Sequence, residues 1–266
     1  MQKKQKIIKI LNKFFFKYNL SIVSTCNFIE LSNFIKKIKV FNLGYDLIRV
    51  GKLQDGGYLV PNILSKIDYC FSPGVGDKFS FEEDLIDKGI KKCFLADGTI
   101  SKPKFSKKIN FINKNISFKD TKKTIRLDTW IKKKVKNNNN LLLQMDIEGH
   151  EYEVLNSVPL SILNRFKIIV IEFHHLESLF TDFGLKFIKP TFFKLLESFD
   201  ICHIHPNNCC GIYEHKNIKI PSVAEFTFLS KKLTKKKIKI DKFPHKYDFK
   251  NKKKFNDIVL PEIFYK

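Results

Sequence analysis

One apolar run in this chain, Leu141-Leu-Leu-Gln-Met145, leads straight into Asp146, Glu148 and Glu151. Charge left beside a core is costly unless it is paired or used, so carboxylates at the end of a buried strand point to chemistry. Glu151 and Glu153 also suit the first turn of a helix, where acids complement the dipole. Asp146 and Glu148 lie on the strand-end side and are the functional candidates. Glu172 and His174 close the next apolar run, and His203, His205 and Asn207 close a third. In a strand, His203 and His205 share a face. If these ends converge on Asp146, they form an acceptor-binding or metal site. Adjacent Cys209 and Cys210 seldom both reach one tetrahedral ion, so zinc is not expected there.

A second constellation is the glycine turn in Phe71-Ser-Pro-Gly-Val-Gly-Asp77. Glycines between a strand and a helix let backbone approach a ligand, and the helix N-terminus favours negative charge. A dinucleotide fingerprint needs a third glycine where this chain has Phe79, which argues against a nicotinamide enzyme. Asp97 ends the following strand, 21 residues after Gly76. A strand-end carboxylate at that distance can accept both hydroxyls of a ribose. Gly74, Gly76 and Asp97 therefore predict an adenosine-type cofactor.

The elements needed to bring these residues together are legible as an alternation. Strands are expected at 67–72, 92–96, 141–145, 168–171, 201–205 and 223–229, and helices at 79–88, 128–136, 150–156 and 191–199. Such alternation implies an α/β fold, a mostly parallel sheet with helices on both faces. In that architecture ligands bind beyond the carboxyl ends of the strands, where the candidates lie.

Residues 3–18 form a basic amphipathic helix pattern. Ile7, Leu11, Phe14 and Tyr18 share a stripe, and Lys6, Lys9, Lys13 and Lys17 lie roughly opposite. The stripe suits either peripheral contact with a membrane surface or docking on its own domain. Residues 231–257 are Lys-rich without a period and read as a solvated tail. The expected division is a basic helical extension at 1–43, a catalytic domain at 44–230 and a Lys-rich tail at 231–266.

The net charge of +22 raises the question of nucleic acid. Residues 1–40 carry +8 and residues 231–266 carry +9, which leaves +5 on 41–230. Of the 49 cationic residues only Arg49, Arg126 and Arg165 are arginine, the residue suited to bidentate base or phosphate recognition. The composition therefore argues against a nucleic-acid partner. The six cysteines include no Cys-x-x-Cys pair and read as reduced, which suits a cytoplasmic protein. Lysines interrupt the N-terminal apolar stretch, so no signal peptide is expected.

The segment Leu142-Leu-Gln-Met-Asp-Ile-Glu-Gly-His-Glu-Tyr-Glu-Val-Leu155 resembles the signature of FkbM-type methyltransferases. Ile168-Ile-Val-Ile-Glu-Phe-His174 resembles the strand that follows it in that family. Asp55-Gly-Gly-Tyr58 and Pro221-Ser-Val-Ala-Glu-Phe-Thr227 resemble one branch of it. The resemblance covers roughly 44–230. It implies a Rossmann-like class I methyltransferase fold, with a mostly parallel seven-stranded sheet whose last strand is antiparallel. It also implies S-adenosylmethionine as methyl donor and O-methylation of a sugar, glycan or small metabolite. On that basis Ser72, Gly74, Gly76, Asp97 and Asp146 are expected to hold the donor. Ser72-Pro73 departs from the acid many methyltransferases carry before the first glycine. Asp146 is placed near the sulfonium, and His174 is the base. Glu148, Glu172, His205 and Asn207 are expected to hold the acceptor. No resident metal is expected, and a divalent ion on Asp146 is the lesser alternative. Two further readings are an RNA or DNA methyltransferase that grips its substrate with the Lys-rich ends, and a non-catalytic binding protein of the same fold.

Overall fold

The computed structural model describes residues 2–77, 79–101, 106–137 and 139–266. Short apolar runs bounded by glycine, proline and polar residues form the seven strands of the main sheet. These are β1 (Tyr69–Pro73), β2 (Lys92–Ala96), β3 (Ile109–Ile112), β4 (Leu141–Met145), β5 (Phe166–Phe173), β6 (Phe199–Pro206) and β7 (Ala224–Ser230). Their order is β3-β2-β1-β4-β5-β7-β6. All neighbours are parallel except β7, which runs antiparallel between β5 and β6. This is the expected mostly parallel sheet with an antiparallel last strand, the Rossmann-like arrangement of class I methyltransferases.

Both sheet faces are covered, so central strands are apolar throughout rather than alternating. Leu141 and Leu143 share a core with Phe71, Phe94 and Trp130. Leu142, one residue away, points to the other face and packs with Cys70, Cys93 and Ile168. The helices are α1 (Gln2–Phe15), α2 (Phe28–Lys37), α3 (Ser80–Asp87), α4 (Leu127–Lys134), α5 (Glu151–Ser157), α6 (Leu160–Leu163) and α7 (Asp182–Ser198). The helix expected at 191–199 is longer because Thr181 caps it, its hydroxyl accepting from the Gly184 N–H. The helix expected from 128 begins one residue earlier, with Asp128 inside its first turn, where it pairs with Arg126.

Two regions depart from expectation. The polar stretch after Ala96 contains β3, whose side chains are only half-buried, a sheet-edge position that leaves a weak apolar signal. The tail is not simply solvated. Phe243, Leu260, Phe264 and Tyr265 are buried, and Ile238–Lys239 pairs with Phe41–Asn42. The segment also covers the end of β6, where Asp248 sits 2.8 Å from His203 Nε2 and Asn251 sits 3.2 Å from His205 Nε2. Four cysteines, Cys26, Cys70, Cys93 and Cys202, are free and buried as expected. Cys209 and Cys210 are joined to each other, which corrects the fully reduced reading and withdraws both sulfurs from metal binding.

Candidate active site

The glycine turn after β1 and the acidic loop after β4 meet because those strands are sheet neighbours. Gly74 has φ +79°, and a Cβ there would lie 1.6 Å from the Asp146 carbonyl oxygen. Only glycine allows this approach. Gly76, at φ +55°, has open space where a side chain would stand. Its N–H donates to Asp97 Oδ2 at 2.9 Å. Asp97 Oδ1 accepts from the Thr99 backbone at 2.7 Å and its hydroxyl at 2.6 Å. Gly76, Asp97 and Asp146 thus border one cleft of about 520 Å³, together with Thr99, Ile116, Ile147 and Glu148. A smaller recess of about 160 Å³ opens on the other side of the turn, between Asp55, Tyr58, Asp77 and Asp146.

Ser72 is fully buried and does not line either space. It hydrogen bonds with Glu82 of α3 and Gln144 of β4, while Gln144 Nε2 donates to the Tyr58 hydroxyl at 3.2 Å. Burial pushes the Glu82 carboxyl up to about 7, against the hydrogen bond from Ser72. The position therefore supports the turn from beneath, and α3 supplies a carboxylate beside it.

On the β4–β5 side, His174 stands within a ring of acids. Its Nε2 lies 3.8 Å from Asp146 Oδ1, 3.4 Å from Glu148 Oε2 and 3.7 Å from Glu172 Oε1. Its Nδ1 faces Glu151 Oε1 at 3.2 Å. Glu151 is completely buried, and the same oxygen accepts the N–H groups of Ile147 and Gly149 at 3.0 and 3.2 Å. The Tyr152 hydroxyl donates to the His174 carbonyl at 2.7 Å. Glu148 adopts φ +55°, a left-handed conformation costly for a non-glycine residue, and its carboxylate reaches back to the imidazole.

The charges follow from this crowding. Burial pushes Asp146 up to about 7; nearby His174 opposes the rise, while Glu148 and Glu151 add to it. Burial works against a charged His174, but the Glu151 hydrogen bond and the charges of Glu151, Asp146 and Glu148 outweigh it and raise its pKa. Glu172 is raised by burial and by Asp146 and Glu225. Among the described residues, Asp146, Glu148 and His174 form a cluster of donor atoms within 4.8 Å of one another. Asp146 Oδ1 and Glu172 Oε2 are buried without a hydrogen-bond partner.

The other expected site residues divide. Asn207 joins the cluster, because its amide donates to Glu172 Oε1 at 3.0 Å. His205 is 4% exposed and engaged by Asn251, with Asp248 Oδ1 3.5 Å from its Nδ1, so it faces the C-terminal segment. Glu151 carries more of the site than its first-turn position signals, since its target lies 23 residues onward. Asp55 and Tyr58 enter from a hairpin, Leu47–Gly51 paired with Gly57–Pro61, which periodicity alone does not connect to the site.

The fold and the site define a methyltransferase. Residues 52–229 match the methyltransferase FkbM domain, and the chain belongs to that family. No curated protein sequence matches it. Solved structures that resemble it distantly include the following two. One is a candidate RNA methyltransferase from Pyrococcus horikoshii, at 13% identity and TM-score 0.34, covering 76% of this chain and 97% of that one. The other is a precorrin-6y C5,15-methyltransferase from Geobacter metallireducens, at 10% identity and TM-score 0.33, covering 75% and 87%.

Proposed function

We propose that the chain is an S-adenosylmethionine-dependent O-methyltransferase acting on a hydroxyl of a sugar, glycan or small metabolite. The observation that carries this reading is the meeting of Gly76, Asp97 and Asp146 on one cleft, with Gly76 bonded to Asp97 at 2.9 Å. The open space at Gly76, the apolar lining from Ile116 and Ile147, and a volume within the usual range for small-molecule sites all fit the donor. When bound, the donor supplies an electrophilic methyl group. Asp97 is the residue for its ribose, and Asp146 borders both the large cleft and the small recess where donor and acceptor would meet.

The chain's own task is then to align a hydroxyl and take its proton. Alignment can supply roughly 7–11 kcal/mol of the barrier. His174 is the base: Glu151 fixes Nδ1, which leaves Nε2 toward the acids and the acceptor. Glu148, which borders both spaces, holds acceptor hydroxyls, and Glu172 with its partner Asn207 backs the cluster from behind. Asp55, Asp77, Asp146 and Glu148 make the recess rich in carboxylates. That repels a phosphate backbone and suits the donors of a neutral polyol, which favours a sugar-like acceptor over nucleic acid. We place the enzyme in a reducing compartment on its four buried free thiols, since the one pair, Cys209 with Cys210, joins neighbouring residues and staples no part of the fold.

A second reading rests on the Asp146, Glu148 and His174 cluster and the unpartnered oxygens beside it. These residues fit a divalent ion that would acidify the acceptor hydroxyl, its proton passing to water or to the neighbouring Glu172 rather than to His174. Loss of turnover on chelation, restored by Mg²⁺ or Mn²⁺, selects the ion; unchanged turnover selects the base. The primary test is a calorimetric titration with S-adenosylhomocysteine, comparing the intact chain with Asp97→Ala. Saturable binding that weakens in the variant supports the reading, and no binding to the intact chain overturns it.

A further inference from the structure

The N-terminal helix leaves an apolar stripe uncovered. Ile7, Ile10, Leu11 and Phe14 of α1 are 50%, 60%, 41% and 56% exposed. Tyr18, Leu20 and Val23 continue the apolar surface beyond the helix. No side chain between residues 5 and 25 is buried, whereas that of Cys26 is. Docking on its own domain is therefore not how this stripe is used. Water-exposed apolar groups recurring at helical spacing mark a contact surface.

The charge beside the stripe identifies the partner. Residues 1–29 contain Lys3, Lys4, Lys6, Lys9, Lys13 and Lys17 and no acid. Lys6, Lys9, Lys13 and Lys17 gather on one side of the helix, roughly opposite Leu11 and bordering Ile10. A helix with Phe, Leu and Ile on one side and lysines beside them lies in the headgroup plane of an anionic bilayer. The described residues include no helix long and apolar enough to cross a membrane, so the contact is peripheral. The segment is also fixed to the domain. Asn12 exchanges two hydrogen bonds with the Ile22 backbone, and the Cys26 N–H donates to the Phe180 carbonyl at 2.9 Å. Phe180 ends the short turn Leu176–Phe180, which begins two residues after His174.

We infer that α1 seats the enzyme on an anionic membrane surface, with Ile7, Ile10, Leu11 and Phe14 entering the interface and the lysines meeting acidic headgroups. This contact is independent of the methyl-transfer reading and is tested without it. The full chain is sedimented with phosphatidylcholine vesicles and with vesicles that also contain phosphatidylserine. It should partition onto the anionic vesicles on the order of a hundredfold more strongly and leave them at high salt. Leu11→Asp with Phe14→Asp should abolish partitioning without shifting the thermal midpoint, since both side chains are exposed. Lys9→Glu with Lys13→Glu should weaken it at least about tenfold. The proposal falls if the full chain stays in solution with anionic vesicles. It also falls if the variants bind as well as the parent, which would assign binding to other lysines. Concentration-dependent self-association abolished by Leu11→Asp with Phe14→Asp, without vesicle binding, would assign the stripe to a second copy instead.

Discussion

Oε1 of Glu151 receives three groups at once: the backbone N–H of Ile147, that of Gly149, and Nδ1 of His174 at 3.2 Å. One buried oxygen thereby ties the loop after β4 to the end of β5. In the neutral imidazole it also fixes the tautomer, because a proton on Nδ1 leaves the Nε2 lone pair free to take a proton.

Glu151→Gln should keep much of this geometry while removing the charge. The turnover number is expected to fall roughly ten- to a hundredfold with donor affinity unchanged. The Glu151 hydrogen bond and charge raise His174, so their removal should also move the acidic limb of the rate profile to lower pH. Stopped-time assays across pH, with calorimetry on S-adenosylhomocysteine, check both. A limb that stays in place would remove Glu151 from control of the imidazole.

The two glycines of the turn should behave oppositely when replaced. Gly74→Ala forces a methyl group to within 1.6 Å of the Asp146 carbonyl oxygen, so β1 and β4 must part. Urea unfolding should show a loss of several kcal/mol, at the severe end for a single substitution. Gly76→Ala meets nothing within 4 Å and has a φ of +55°. It should cost only about 1–2 kcal/mol in stability yet weaken S-adenosylhomocysteine binding, because the methyl enters the cleft. Equal stability losses in the two variants would contradict this division.

Removal of residues 241–266 should unfold or gravely weaken the domain. Phe243, Leu260, Phe264 and Tyr265 are each no more than 7% exposed, and burial of such side chains contributes about 1.5–3 kcal/mol each. Truncation would also strip Asp248 and Asn251 from His203 and His205. A thermal midpoint within a few degrees of the parent's would restore the picture of a dispensable tail.

The strands and the glycine turn were legible because their signals are local: apolar runs of the right length, punctuated by Gly74, Gly76 and strand-end acids. Asp146, Glu172 and His174 were legible by the same rule, as charges placed where a core ends. What escaped depends on distant chain. His203 and Asp248 are 45 residues apart, and the Lys-rich composition of the tail conceals the few aromatic residues that anchor it. Ser72 occupies the expected position, but its neighbours on α3 and β4 close over it, which no spacing reveals.

Glu225 should make stability fall as pH rises. It is 4% exposed at the start of β7, and burial pushes its carboxyl up to about 8, against the hydrogen bond from Asn251 and the charge of Arg49. The unfolded chain releases this proton near the ordinary carboxylate value of about 4.3, while the folded chain retains it. Between those values the native state binds more protons, so stability declines by up to about 1.4 kcal/mol per pH unit from this group. Asp248 faces the same carboxyl and adds to the rise, while the charge of His203 opposes it. Glu225→Gln keeps an oxygen for the Asn251 amide, now 2.6 Å from Glu225, and has no proton to lose. Its urea midpoint should therefore decline less than the parent's between about pH 5 and 8, with the greatest gain over the parent at the alkaline end. Parallel profiles for the two proteins would show that Glu225 is ionised in the fold.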